Sequence, residues 1–251
     1  SSASCSWPGC PKFGKVPATT DDPLLKCGRC EQAWYCKKSC QKSHWTLHKI
    51  TCSGAPRHCV AGTTLEAIQS CLDAAQAGDI VEIPEGDYRS SSEAGAAKLT
   101  IKKAVHLIGA GMSKVTLHAS LNIQGNEIDG KMVIANLKVK GNVSVQENKY
   151  NGVTFVSVEV ECPPSSRDDA FSIKRCGGKV LIFCCEIIGG SDGLGIYGAN
   201  VHIKETDISF AASRGIFAND SFLIEDSTVS NCGGYGIKGR DGWDEKGTNH
   251  L

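Results

Sequence analysis

Long apolar runs are missing from this chain of 251 residues. No stretch reaches the roughly 18 uncharged apolar residues that a membrane-spanning helix needs, so no helical span is expected. A basic-then-apolar leader is missing too. The chain opens Ser-Ser-Ala-Ser without Met and reads as processed or as a fragment. Net charge is absent, with 27 Lys and Arg against 27 Asp and Glu. That balance argues against a nucleic-acid binder working by bulk electrostatics. Aromatic side chains are few, at 7 Phe, 5 Tyr and 4 Trp, which leaves little to line a sugar cleft. What is present is a 41% apolar fraction, too high for a disordered chain, together with 14 Cys and 28 Gly. The length suits one large domain, or a medium domain with a small one.

The zero charge hides an asymmetry. Residues 1–60 hold nine Lys and Arg and three Asp and Glu, a balance of +6, so residues 61–251 carry −6. Eight cysteines fall in the first sixty residues and six in the rest. Two domains of different kinds are expected: a small one at 1–54, a linker at 55–62 and a large one at 63–251.

In the small domain the cysteines come in pairs: Cys5 and Cys10, Cys27 and Cys30, Cys36 and Cys40, then His48 and Cys52. C-x2-C and C-x3-C spacings with a closing H-x3-C are those of tetrahedral zinc sites, since two thiolates that close reach one ion from a single tight turn. Eight ligands make two four-coordinate ions with no open position, so both are structural. With few large apolar residues, metal binding is expected to supply most of the folding free energy. The alternative, a disulfide-stapled secreted module, seldom pairs its half-cystines at C-x2-C with an interposed histidine. A chain rich in thiols is expected inside the cell, in a reducing compartment.

The run Trp34-Tyr35-Cys36-Lys37-Lys38-Ser39-Cys40-Gln41-Lys42-Ser43-His44-Trp45-Thr46-Leu47-His48-Lys49-Ile50-Thr51-Cys52 resembles a MYND-type zinc finger, which reads Y-C-x3-C-Q-x2-(H or D)-W-x2-H-x3-C. The resemblance implies interleaved ligation, with Cys5, Cys10, Cys36 and Cys40 on one Zn2+ and Cys27, Cys30, His48 and Cys52 on the other. The sequence departs from the family in a C-x4-C first pair and in the 16 residues between Cys10 and Cys27. Fingers of this kind are protein-interaction modules whose known ligands are short proline-containing segments of the PxLxP type. The matching groove residues here are Gln41 and Trp45. An exposed indole offers a flat apolar face to proline rings, and a glutamine amide bonds an extended backbone. The alternative is an indole packed inward to support the zinc sites. Seven thiolates and two Zn2+ would together contribute −3 and cut the basic surplus by half, so no nucleic-acid partner is expected.

The large domain opens on Thr63-Thr64-Leu65, where apolar Leu65, Ile68, Cys71 and Leu72 follow helical spacing after a Thr cap. After Gly78 the pattern alternates. Apolar frames then recur at 21 residues, as in Val180, Val201 and Phe222, or in Met132 and Val153, and at 27 from Val105 to Met132 and Val153 to Val180. Three short strands per turn, with inward side chains stacking at that period, describe a parallel β-solenoid of about seven rungs. The stretch Ala77–Tyr88 with Val105–Gly111 resembles the start of the right-handed parallel β-helix of the pectin-lyase-like superfamily. The expected fold class is therefore mainly β, a right-handed parallel β-helix with an N-terminal capping helix, preceded by a two-zinc finger. No comparable cap follows the last rung, an open edge that suggests a place in a larger assembly.

A fold does not fix an activity. The best catalytic candidates are Asp168 and Asp169, in a turn enlarged by six residues, and Asp192 in the next rung's turn. Paired carboxylates suit glycosidic acid–base chemistry or, beside Arg167, a calcium-assisted lyase. Asp and Gly are also what β-turns require, and the other turns are too short to wall a cleft. The remaining seven cysteines, Cys59, Cys71, Cys162, Cys176, Cys184, Cys185 and Cys232, show no pairing pattern. The expected function is a non-catalytic interaction protein with a finger on a rigid β-helical scaffold. The alternative is an intracellular carbohydrate-active β-helix enzyme using Asp168, Asp169 and Asp192.

Overall fold

The computed structural model describes residues 5–7, 10, 24–28, 33–52, 58–90, 97–124, 131–146, 152–239, 244–245 and 249–250. The backbone divides into two compact units, residues 1–57 and 58–251. In the first, Leu25–Lys26 and Trp34–Tyr35 pair as a short antiparallel ribbon. Helix α1, Lys38–Cys52, follows.

The second unit is a parallel β-solenoid of about seven turns with three strands in each. One column of stacked core positions runs Cys59, Val81, Leu107, Ile134, Phe155, Ile182, Ile203 and Ile224 in continuous register. A second runs Tyr88, Leu117, Val139, Val160, Ile187, Ile208 and Val229. The third runs Leu99, Leu121, Val143, Phe171, Leu194, Ile216 and Ile237. Because side chains alternate across a strand, each column sends every second residue into the lumen, where like stacks on like. Nearly all of these inward residues are buried. Each such burial contributes roughly 1.5–3 kcal/mol.

In five successive turns the bend between the first two columns is made by one residue in the left-handed region. Asn136, Ser157, Cys184, Glu205 and Asp226 stand there at φ 60°, 52°, 51°, 50° and 49°. Their spacing repeats the 21, 27, 21 and 21 of the strands. A left-handed residue costs a side-chain-bearing position roughly 1–2 kcal/mol, which the parallel pairing on either side offsets. Gly189 is at φ 83°, and a Cβ there would collide with the Cys162 carbonyl.

Helix α2, Leu65–Ala74, covers the first turn with Leu65, Ile68 and Leu72 buried. Its cap is Thr64, whose Oγ1 accepts from the Ala67 amide at 3.2 Å.

Three expectations change at the ends. His58–Val60, expected within the linker 55–62, form a strand parallel to Ile80–Glu82, because an edge strand satisfies its backbone by pairing. Cys59 and Cys71, expected unpaired, are joined by a disulfide that ties this strand to α2. The two cysteines lie in different elements, so the proximity is created by the fold. At the far end, Asp244–Glu245 and Asn249–His250 pair antiparallel with Ile237–Lys238 and Thr228–Val229. The last rung, expected to be open, is thus covered on two of its three sides, which removes the free edges there.

Candidate metal centre and partner groove

The Ser6 amide donates to the Trp34 carbonyl at 2.7 Å, and the Trp34 amide donates to Ser6 Oγ at 3.0 Å. These bonds hold Cys5 beside the ribbon, and a turn closed from the Cys10 amide to the Trp7 carbonyl brings Cys10 to the same place. Cys36 precedes α1, and Cys40 sits on its first turn. The four sulfurs lie within 4.8 Å of one another, with Cys10–Cys36 and Cys36–Cys40 at 3.5 Å. A tetrahedron with Zn–S bonds of roughly 2.3 Å separates its sulfurs by roughly 3.8 Å, so the donor set and its spacing fit that ion. Burial is the main effect pushing the Cys36 and Cys40 thiols above their ordinary range. A cation at the centre reverses that tendency by favouring thiolate.

Of the other four expected ligands, Cys27 and His48 are buried. Cys30 and the side chain of Cys52 lie outside the described residues. On α1, Cys40, His44 and His48 recur every four residues and so share one stripe. His44, not expected as a ligand, hydrogen bonds through Nδ1 to the Tyr35 hydroxyl at 3.0 Å. Burial, and then His48, lower its pKa to about 4.

A different face of α1 carries Lys38, Gln41, Lys42 and Trp45, at spacings of three, four and seven residues. With Ser39 they line an open groove of about 570 Å³. Trp45 is 40% exposed. Its indole also meets the His48 ring edge-on, at 6.1 Å between centroids. Gln41 and Trp45 are the expected groove residues, and Lys38 and Lys42 join them at the same helical spacing.

On the solenoid, Asp169 and Asp192 come together and Asp168 does not. The Asp168 side chain is exposed, and its carbonyl accepts from the Ser191 amide at 2.8 Å. Asp192 is 1% exposed and takes a bidentate pair from Arg214, Nε to Oδ1 at 2.8 Å and Nη2 to Oδ2 at 2.6 Å. Arg214 in turn lies over the Phe217 ring, 4.0 Å from its centroid. Asp169 Oδ2 accepts from the Tyr197 hydroxyl at 3.2 Å. Gly195 makes room for this bond, since a Cβ there would meet both the Asp169 carboxylate and the Tyr197 ring. Burial, and then the charge of Asp192, raise the Asp169 pKa. Burial, and then Asp169, push the Tyr197 phenol up to about 12. Ser172, paired in register with Gly195, has a buried hydroxyl with no hydrogen-bond partner among the described residues. Arg214 and Tyr197 carried no sequence signal, because only the coil brings residues 22 and 28 positions away against the two acids.

Residues 5–52 match the zf-MYND family, MYND finger. This segment is a MYND finger. The same region is similar to the N-lysine methyltransferase SMYD2 of Homo sapiens, 54% identical over 35 residues, which are 14% of this chain and 8% of that protein. The Mus musculus counterpart is 63% identical over 30 residues, covering 12% and 7%. The chain therefore spans less than a tenth of the curated relatives it matches. Among solved structures, the chain is similar to Geobacillus virus E2 ORF18, with a TM-score of 0.42 and 14% identity over 80% of this chain and 52% of that one. It is also similar to the A-module of the Azotobacter vinelandii mannuronan C-5 epimerase AlgE4, with a TM-score of 0.25 and 15% identity over 67% and 74%. The solenoid stands on its own strand register. Beside the MYND finger and its cysteine cluster, no helix among the described residues is long and apolar enough to cross a membrane.

Proposed function

We propose that this protein is a non-catalytic interaction protein in which a zinc-dependent MYND finger holds a proline-containing segment of a partner. The solenoid serves as a rigid scaffold. Cys5, Cys10, Cys36 and Cys40 hold one structural Zn2+, and Cys27, Cys30, His48 and Cys52 hold a second. The observation that carries this reading is the groove on α1, lined by the exposed indole of Trp45 and by Gln41. Gln41 offers its amide to the backbone of the segment, and Trp45 offers its ring to the prolines. Trp45→Ala should weaken a Pro-x-Leu-x-Pro peptide at least tenfold by calorimetry, the size of a central aromatic contact, while zinc content is unchanged. Zinc lost along with affinity would instead make the indole a support for the metal.

The acid pair on the solenoid supports a second reading, a carbohydrate-active enzyme in which Asp169 moves a proton. A half-buried carboxyl with a raised pKa next to a second carboxylate is suited to general acid chemistry. The unpartnered Ser172 hydroxyl beside it leaves a donor for a ligand. Asp169→Asn keeps an acceptor for Tyr197, so the coil should stay folded while turnover of any polysaccharide substrate falls at least a hundredfold. Unchanged turnover would remove Asp169 from the chemistry.

A further inference from the structure

We infer that the groove on α1 selects a proline-containing segment flanked by Asp or Glu on the side that runs toward the start of the helix. The inference rests on the groove reading above and adds the charge and register of the partner. Trp45 gives the groove an apolar face beside the cationic Lys38 and Lys42, and no acid lines it among the described residues. Both lysines are exposed. From Ala33 to Cys52 the chain holds four lysines and no Asp or Glu. The first turn of α1 likewise carries no acidic residue, so its N-terminal dipole has no carboxylate of its own there.

The spacing sets a register. Along a helix rising roughly 1.5 Å per residue, Lys42 stands roughly 4.5 Å and Lys38 roughly 10.5 Å from Trp45. A polyproline segment advances roughly 3.1 Å per residue. With a proline on the indole, an acid one or two residues away meets Lys42, and an acid three or four residues away meets Lys38. A nucleic acid is the weaker candidate, because two lysines on a chain of zero net charge give few phosphate contacts.

The test uses the full zinc-loaded chain and three synthetic peptides with one Pro-x-Leu-x-Pro centre and flanks of Glu, Gln or Lys. At low salt the Glu peptide should bind three- to tenfold tighter than the Gln peptide, and the Lys peptide weaker than both. The differences should vanish in 1 M NaCl. The double variant Lys38→Glu with Lys42→Glu should reverse the order while keeping its zinc and its circular dichroism spectrum. Equal binding of all three peptides would overturn the acidic flank and leave the groove reading standing, whereas no binding of any would overturn both. A concentration-dependent dimer dissolved by the double variant would place a second copy in the groove. A duplex oligonucleotide outcompeting the Glu peptide would make the two lysines phosphate contacts. Either result would overturn the inference.

Discussion

Stripping zinc should unfold residues 5–52 and leave the solenoid folded. The described core of the MYND finger is small: beyond the ligands it buries Trp7, Ala33 and Tyr35. A module of this size cannot repay its chain entropy from so little apolar area. Apparent zinc-binding free energies in comparable modules are about 10–16 kcal/mol, larger than the whole stability of a typical domain. The solenoid has its own continuous core from Ala61 to Ile237. A strong chelator should therefore erase the dispersed amide resonances of the MYND finger and spare those of the strands. Cys40→Ala should lower the zinc content by one ion per chain. A metal-free protein with its finger resonances intact would show the core to be sufficient without metal.

Acidification from pH 6.5 to pH 4 should cost the solenoid about 3 kcal/mol through His106 alone. This ring lies at 5% exposure on the strand that carries Leu107 of the first column, in register with Ile80. Its Nδ1 accepts from the Val133 amide at 3.2 Å, so the native state needs the neutral ring. Burial lowers its pKa from 6.5 to about 4. The depressed value gives the sign: unfolded chains take up the proton first, so the contribution is whole above pH 6.5 and is lost as pH falls toward 4. Gln at this position keeps an acceptor and does not titrate. Urea unfolding of the wild type and His106→Gln at pH 7 and pH 4 measures the difference, because other titrating groups cancel between the two proteins. Parallel pH profiles would place the ring in contact with water.

Much of the molecule was legible as spacing. The 21- and 27-residue frames predicted Met132, Val153, Val180, Val201 and Phe222 as one stack, and these residues are in register. Periodicity works here because a coil repeats its geometry, so local patterns and long-range contacts share one period. The fourfold cysteine cluster was legible only through the resemblance to a MYND-type finger, since C-x3-C spacing pairs Cys36 with Cys40 but does not join them to Cys10, 26 residues before Cys36. The Cys59–Cys71 bridge was not, because its two halves are brought close by α2 folding over the first rung.

The sequence by itself determined the column residues and the α2 cap, each set by interactions between near neighbours or by a repeat that copies them. Only the tertiary structure decided which residues bend the coil in the left-handed region, where five different side chains, Asn, Ser, Cys, Glu and Asp, stand at equivalent positions. It alone joined Asp192 to Arg214 and Asp169 to Tyr197, and it folded the tail onto the last rung. Those choices depend on backbone pairing between turns. Such pairing is blind to side-chain type and leaves little trace in a sequence.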